Sequence, residues 1–250
     1  MRHLNSQAIV LRTFDFGESD RIVSLYTMDF GRLRAIAKGA KRSRKRFGSA
    51  LEPFTHIEAF FADRETRGLA RLERCTIVAA FQGIAEDVRS AVFGSYVLEL
   101  IDTLTPEREQ HAPVFSLLRF FVGLLNSGGF REELLRLFEL RLFALLGYQP
   151  QFLRCVACGE SFQLQRRYKF SVQRGGIVCP ACQDRIADLL PLSNGAIRIF
   201  QQAAALEMQK LNRLVFSPAE HDESRQVFGR FLEYHMGRKP RSLAVMEQLA

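Results

Sequence analysis

The stretch DRIVSLYTMDFGRLRAIAKGAKRSRKRFGSALEPF, residues 20–54, holds two strand-like segments, a turn and a dense run of charge. RIVSLYT (21–27) is short and β-branched, as strands prefer. In RLRAIAK (32–38) basic and apolar residues alternate, so Arg32, Arg34 and Lys38 share one face of a strand. MDFG (28–31) is the turn between the two. The nine positions from Lys38 to Arg46 then carry six basic residues, Lys38, Lys41, Arg42, Arg44, Lys45 and Arg46, with no acid among them. Outward from this stretch, QAIVLRT (7–13) reads as a preceding strand, and PFTHIEAFFA (53–62) and LARLERCTIV (69–78) as two following ones. Five short strands in the first 80 residues predict a small antiparallel barrel or sandwich. A basic loop after the third strand fits an OB-fold over residues 1–80.

The period then changes. AAFQGIAEDVRSAVFGSYVLELIDTL (79–104) repeats its apolar residues at three- and four-residue spacing, which predicts a helix. APVFSLLRFFVGLLN (112–126) starts with Pro113 in a first turn, and FREELLRLFELRLFALLG (130–147) ends at Gly147, a C-cap residue. Helices follow at about 194–211 and 218–236; Ser217, Pro218 and Glu220 supply a capping box and Gly237 a stop. The fold class is therefore multi-domain α+β. An N-terminal OB-fold barrel precedes an all-α domain (81–151 and 185–250), into which a cysteine module (152–184) is inserted.

The net charge of +8 is segregated: +6 over residues 1–80, −3 over 81–150 and +4 over 151–183. Such segregation points to nucleic acid, since no Lys-rich amphipathic helix favours a membrane. No apolar run reaches the length of a membrane span and no apolar stretch marks a signal peptide, so a cytoplasmic protein is expected. With 22 Phe and no Trp, most of the Phe residues must be core.

Four of the five cysteines form two CxxC pairs, Cys155/Cys158 and Cys179/Cys182, with 20 residues between the pairs; Cys75 stands apart. Two knuckles at this spacing, joined by a hairpin in SFQLQRRYKFSVQRGGIV, complete a tetrahedral sulfur shell. Four thiolates leave no open position for water, so the reading is one structural Zn²⁺ in a zinc-ribbon-like module.

Enzymatic readings fail on pattern. HIE at His56–Glu58 satisfies only the first half of a zinc-deaminase motif, because Val178 and Arg154, not Pro, precede the CxxC pairs. There is no GxxxxGK[ST] loop and no GxSxG elbow. His3, His111, His221 and His235 are scattered, and Glu132–Glu133 sit at a helix start, where the dipole explains them. No enzyme is expected. The cations of the run, with Arg32 and Arg34, suit phosphates, and Phe47 and Tyr26 are candidate stacking platforms.

Residues 20–54 also resemble the N-terminal barrel of the bacterial recombination mediator RecO family. The resemblance lies in the Asp-led strand (Asp20), the Thr-x-x-x-Gly turn (Thr27, Gly31), AKGA with its basic stretch (from Lys38), and L-x-P-F (Leu51–Phe54). A helical domain, the Cys₄ insertion and MGRKPRSL (236–243) follow in the family's order. The resemblance implies a protein that binds single- and double-stranded DNA and anneals complementary strands. It also implies binding to RecR and to the C-terminal tail of single-strand-DNA-binding protein, help in loading RecA, and a place at the bacterial nucleoid. Arg119, Arg131, Arg136 and Arg141 are candidate rim residues for that tail. Some members lack the cysteines, so the zinc reading rests on the residues present here. The competing readings are a zinc-ribbon interaction adaptor whose basic loop is incidental, and a nucleic-acid-modifying zinc enzyme.

Overall fold

Strands β1 (Arg2–Phe16), β2 (Asp20–Thr27), β3 (Gly31–Ala37), β4 (His56–Asp63) and β5 (Ala70–Ala79) close into a barrel in the order β1-β2-β3-β5-β4. The computed structural model describes residues 2–43, 46–63 and 68–248. All pairings are antiparallel except β3–β5. Closure depends on the length of β1. Its first half pairs with β4 and its second half with β2, and the register shifts at a bulge between Val10 and Arg12. Alternation sends Ala8, Val10, Val23, Leu25, Leu33, Ala35, Ile57, Ala59 and Phe61 inward, where all are buried. Small Ala residues leave room for Phe61. The segment after the basic run closes the core with Phe47, Ala50 and Leu51. Each such large apolar side chain contributes about 1.5–3 kcal/mol on burial. Cys75 packs at the edge of this core, and burial pushes its thiol up to about 11, which disfavours the thiolate.

The helices are α1 (Gly83–Glu86), α2 (Val88–Leu104), α3 (Ala112–Asn126), α4 (Glu133–Leu145), α5 (Pro180–Gln183), α6 (Asn194–Ala205), α7 (Pro218–Met236) and α8 (Arg241–Glu247). Contacts gather them into two units, residues 1–130 with 241–250, and residues 131–240. Helices α1, α2, α3 and α8 thus belong with the barrel, whereas sequence composition draws the boundary at residue 80.

In the first unit, periodicity predicts one helix over 79–104, but the chain forms two. Asp87 is extended and its carboxylate accepts the Ser90 N–H at 2.8 Å, so it ends α1 and caps α2. Phe54, in the L-x-P-F segment, packs on α2 at Gly94; a Cβ there would lie 2.6 Å from the ring. Glu99 of α2 accepts the N–H groups of Arg241 and Ser242 at 2.9 and 2.8 Å, which caps α8 from another helix.

In the second unit, a three-stranded sheet forms from β6 (Lys169–Ser171), β7 (Gly176–Val178) and β8 (Leu189–Pro191), in the order β7-β6-β8. Its core is aromatic. Phe152 and Phe200 lie 5.0 Å apart between ring centroids, Phe200 and Phe228 5.1 Å, and Phe143 and Phe231 4.7 Å. The predicted helix over 194–211 stops at Ala205 and continues as a 3-10 turn, Met208–Arg213. The capping box at Ser217 and Glu220 forms as its spacing predicts, and Gly237 ends α7 at φ 69°.

Candidate nucleic-acid interface and metal centre

The β3 alternation holds. Leu33, Ala35 and Ala37 point into the barrel while Arg34 and Lys38 are exposed. Arg32 also points outward but is engaged inside its own unit. Its Nε donates to the Thr105 carbonyl at 2.9 Å, and its Nη1 lies 3.3 Å from Glu107 and 3.9 Å from Asp102. The run after β3 is a turn-rich loop with defined anchors. Asp20 Oδ1 accepts the Gly39 N–H at 2.8 Å, and the Lys41 N–H donates to the Ser19 carbonyl at 3.0 Å. The Asp20 carboxyl is held below its usual range chiefly by the Gly39 N–H, then by the Ser19 hydroxyl. Asp20 thus fixes the start of the loop. Thr27 does the same for the preceding turn, as its hydroxyl accepts the Phe30 N–H and donates to the Gly31 carbonyl.

Within the loop, the Lys41 ammonium lies 3.0 Å from Asp15. Arg42 is exposed. Arg46 is exposed as well, but its guanidinium is tied to the Lys38 carbonyl at 2.9 Å and to Ser43 Oγ at 3.1 Å. Arg44 and Lys45 lie outside the described residues. The structure therefore exposes Arg34 midway along β3 and Lys38, Arg42 and Arg46 in the loop that follows it, while Arg32 and Lys41 have acidic neighbours. Neither expected stacking residue is available. Phe47 is 3% exposed in the barrel core and Tyr26 is 1% exposed, because the strand pattern does not reveal what covers a residue's outer side. The alternation in RTFDF instead exposes Phe14 and Phe16, a signal overshadowed by the charge run.

The four cysteines of the second unit converge. Sγ atoms of Cys155, Cys158, Cys179 and Cys182 all lie within 4.8 Å of one another, close enough to hold a metal ion. Each knuckle is built by backbone bonds: the Gly159 N–H donates to the Cys155 carbonyl at 2.9 Å and the Cys182 N–H to that of Cys179 at 3.0 Å. Val156 N–H donates to the Ile177 carbonyl, which binds the first knuckle to the β6–β7 hairpin. Cys155 and Cys179 are buried, and Cys158 is exposed. The Cys158–Cys179 sulfur separation of 3.7 Å excludes a disulfide. Burial pushes the Cys155 thiol up, but N–H groups of Cys179, Cys158 and Ala157 outweigh it and bring it down to about 6. Burial and the neighbouring thiols push Cys179 up to about 12. Four sulfurs converging at this separation are a donor set that suits a soft dication.

The proposed rim arginines have other duties in the second unit. Arg136 is buried and pairs with Glu139 at 2.7 Å, so it is no surface residue. Arg131 donates to the Asn212 and Leu214 carbonyls, and Arg141 to that of Leu206, which fastens the 3-10 segment to α4. In the first unit, Arg119 is exposed.

Comparison with known proteins covers both halves of the chain. The family model described as recombination protein O N terminal matches residues 1–81, and the one described as recombination protein O C terminal matches residues 85–244. The chain belongs to the recombination protein O family. Relatives named DNA repair protein RecO include that of Syntrophus aciditrophicus, 35% identical over 246 residues, covering 98% of this chain and 95% of the relative. Those of Syntrophotalea carbinolica and Geobacter sulfurreducens are 32% and 33% identical over 249 residues, covering all of this chain and 96% and 99% of theirs. Membership of the family supports a DNA-repair role. No helix among the described residues is long and apolar enough to cross a membrane.

Proposed function

We propose that the chain is a non-enzymatic, cytoplasmic DNA-binding and strand-annealing mediator of recombination, acting at the bacterial nucleoid. The observation that carries this reading is the exposed cation set Arg34, Lys38, Arg42 and Arg46 on β3 of an OB barrel and the loop that follows it, in a chain whose relatives are named DNA repair proteins. Cations at such a surface neutralise phosphates and release counterions, and thereby lower the repulsion between two strands that must pair. That work is binding alone and requires no covalent step. The partners proposed with it are RecR, the tail of single-strand-DNA-binding protein, and RecA indirectly, through loading on single strands. A single Zn²⁺ held by Cys155, Cys158, Cys179 and Cys182 serves the fold of the second unit, since four sulfurs complete its tetrahedron.

Annealing of complementary oligonucleotides, with and without single-strand-DNA-binding protein, tests this function. The proposal expects the chain to accelerate annealing in both conditions. Rates equal to those of the oligonucleotides alone would overturn it. A second reading, a protein-interaction adaptor, is favoured by the exposed Leu153 and Leu164 beside the cysteine cluster. Partner capture without any DNA binding would select that reading.

A further inference from the structure

Strand β1 places Arg12, Phe14 and Phe16 on the outer face of the barrel at alternate positions. Phe14 and Phe16 are 43% and 50% exposed, a large departure from where Phe usually sits. Register sets Phe14 beside Ile22 of β2, Ile22 beside Ile36 of β3, and Ile36 beside Arg71 of β5. Ile22 and Ile36 are half-buried, and Arg71 is exposed. An apolar row thus crosses three strands. The next row holds Arg12, Ser24 and Arg34. The acids nearby have cationic or hydrogen-bonding partners for the most part: Asp15, itself exposed, lies 3.0 Å from Lys41 and 3.6 Å from Arg21, Asp20 binds Gly39, and Asp102 lies 3.6 Å from Arg12 and accepts the Ser24 hydroxyl at 2.6 Å, while Glu18 is exposed at the turn tip.

We propose that Phe14 and Phe16 are a base-stacking platform that selects single-stranded over double-stranded DNA. The inference rests on the DNA-binding reading and names the residues that distinguish one strand from two. Residues two apart on a strand stand about 6.6 Å from each other, twice the rise of about 3.4 Å between bases in a duplex. Two rings at that spacing meet successive bases of an unstacked, extended strand and not those of a closed duplex, whose faces are already covered. The Arg12 guanidinium lies 4.7 Å from the Phe14 centroid and adds a second flat, cationic surface on which a base can stack. Arg34 and Lys38 flank the row where the phosphates of such a strand would run. An apolar, cation-rimmed strip also suits an acidic peptide; extended rings at one-nucleotide intervals favour the nucleic acid.

The chain has no Trp, so Phe16→Trp introduces a single indole at the platform, whose emission can be excited apart from the five Tyr. Titration with oligothymidylate should quench it, while a duplex of equal length bound at the same occupancy should not. Phe14→Leu/Phe16→Leu keeps the strip apolar and removes only the rings. It should weaken single-strand binding by at least about fivefold per ring, with duplex affinity and the salt slope unchanged. Unquenched fluorescence on oligothymidylate, quenching by an acidic peptide alone, or a double-Leu variant that binds single strands as tightly as its parent would each overturn the platform. In all three cases, salt-sensitive DNA binding by the parent chain leaves the DNA-binding reading standing; a parent that binds no DNA overturns both.

Discussion

The Asp20 carboxylate accepts the backbone N–H of Gly39 across 2.8 Å, and that bond ties the start of β2 to the first turn of the basic loop. An acid here lies among the cations proposed to meet phosphate, so its value lies in order and not in charge. Asp20→Ala removes one negative charge, which by electrostatics alone strengthens DNA binding. Loss of the loop's anchor should instead weaken it severalfold in an anisotropy titration at fixed salt. Tighter binding would show that the loop acts only as a mobile cloud of charge.

Gly31 sits at φ 64°, and a Cβ there would lie 1.8 Å from the Glu109 carbonyl oxygen. Both the backbone conformation and the approach of the 105–111 connection exclude a side chain. Gly31→Ala should cost about 2–4 kcal/mol in urea unfolding. A cost under 0.5 kcal/mol would mean the connection moves freely from the barrel.

His56 is buried between Gln7 and the α3 ring of Phe115. Burial, then the charge of Arg119, holds its imidazole below the ordinary value of 6.5. Burial does the same to His235 within its ring cluster. The unfolded chain therefore binds more protons, and stability is lost as pH falls from about 6.5 toward the lower folded values. Thermal melts should fall over that range, and His56→Gln should flatten part of the decline. Stability that rises on acidification to pH 5.5 contradicts the burial argument.

Removal of metal should not stop at the cysteine module. Phe152 and Phe170 flank the knuckles yet belong to the aromatic core with Phe200 and Phe231. Cys155→Ala or strong chelation should release about one zinc per chain and expose cleavage sites throughout residues 131–240, with the barrel protease-resistant. Full zinc content in the variant would exclude Cys155 as a ligand.

Much of this was legible from local pattern. Short β-branched or alternating runs predicted the five strands, helical periodicity predicted α3, the Ser217–Glu220 cap and Gly237 stop predicted α7 at about 218–236, and two CxxC pairs predicted the sulfur cluster, because each signal lies within a few positions of the chain. What pattern missed is set by distant partners. Arg32 is engaged by residues of the α2 C-terminal end more than 70 positions away, and Arg136 meets Glu139 inside a core. Tyr26 faces outward on its strand yet is covered. Asp87 was readable as a cap, but the helical period on both sides of it masked the break. Phe14 and Phe16 were visible in the alternation of β1; only the structure distinguishes them from the many Phe residues that are core.

The most direct measurement is the salt dependence of single-stranded DNA binding by the parent chain and by Arg34→Ala/Lys38→Ala/Arg42→Ala/Arg46→Ala. Each phosphate contact contributes about 0.7 to the slope of log K against log salt on a single strand. The variant should bind more weakly at 50 mM salt, and its slope should be shallower by about 2–3. Equal affinity and an equal slope in the two proteins would contradict the claim that β3 and the loop after it hold DNA.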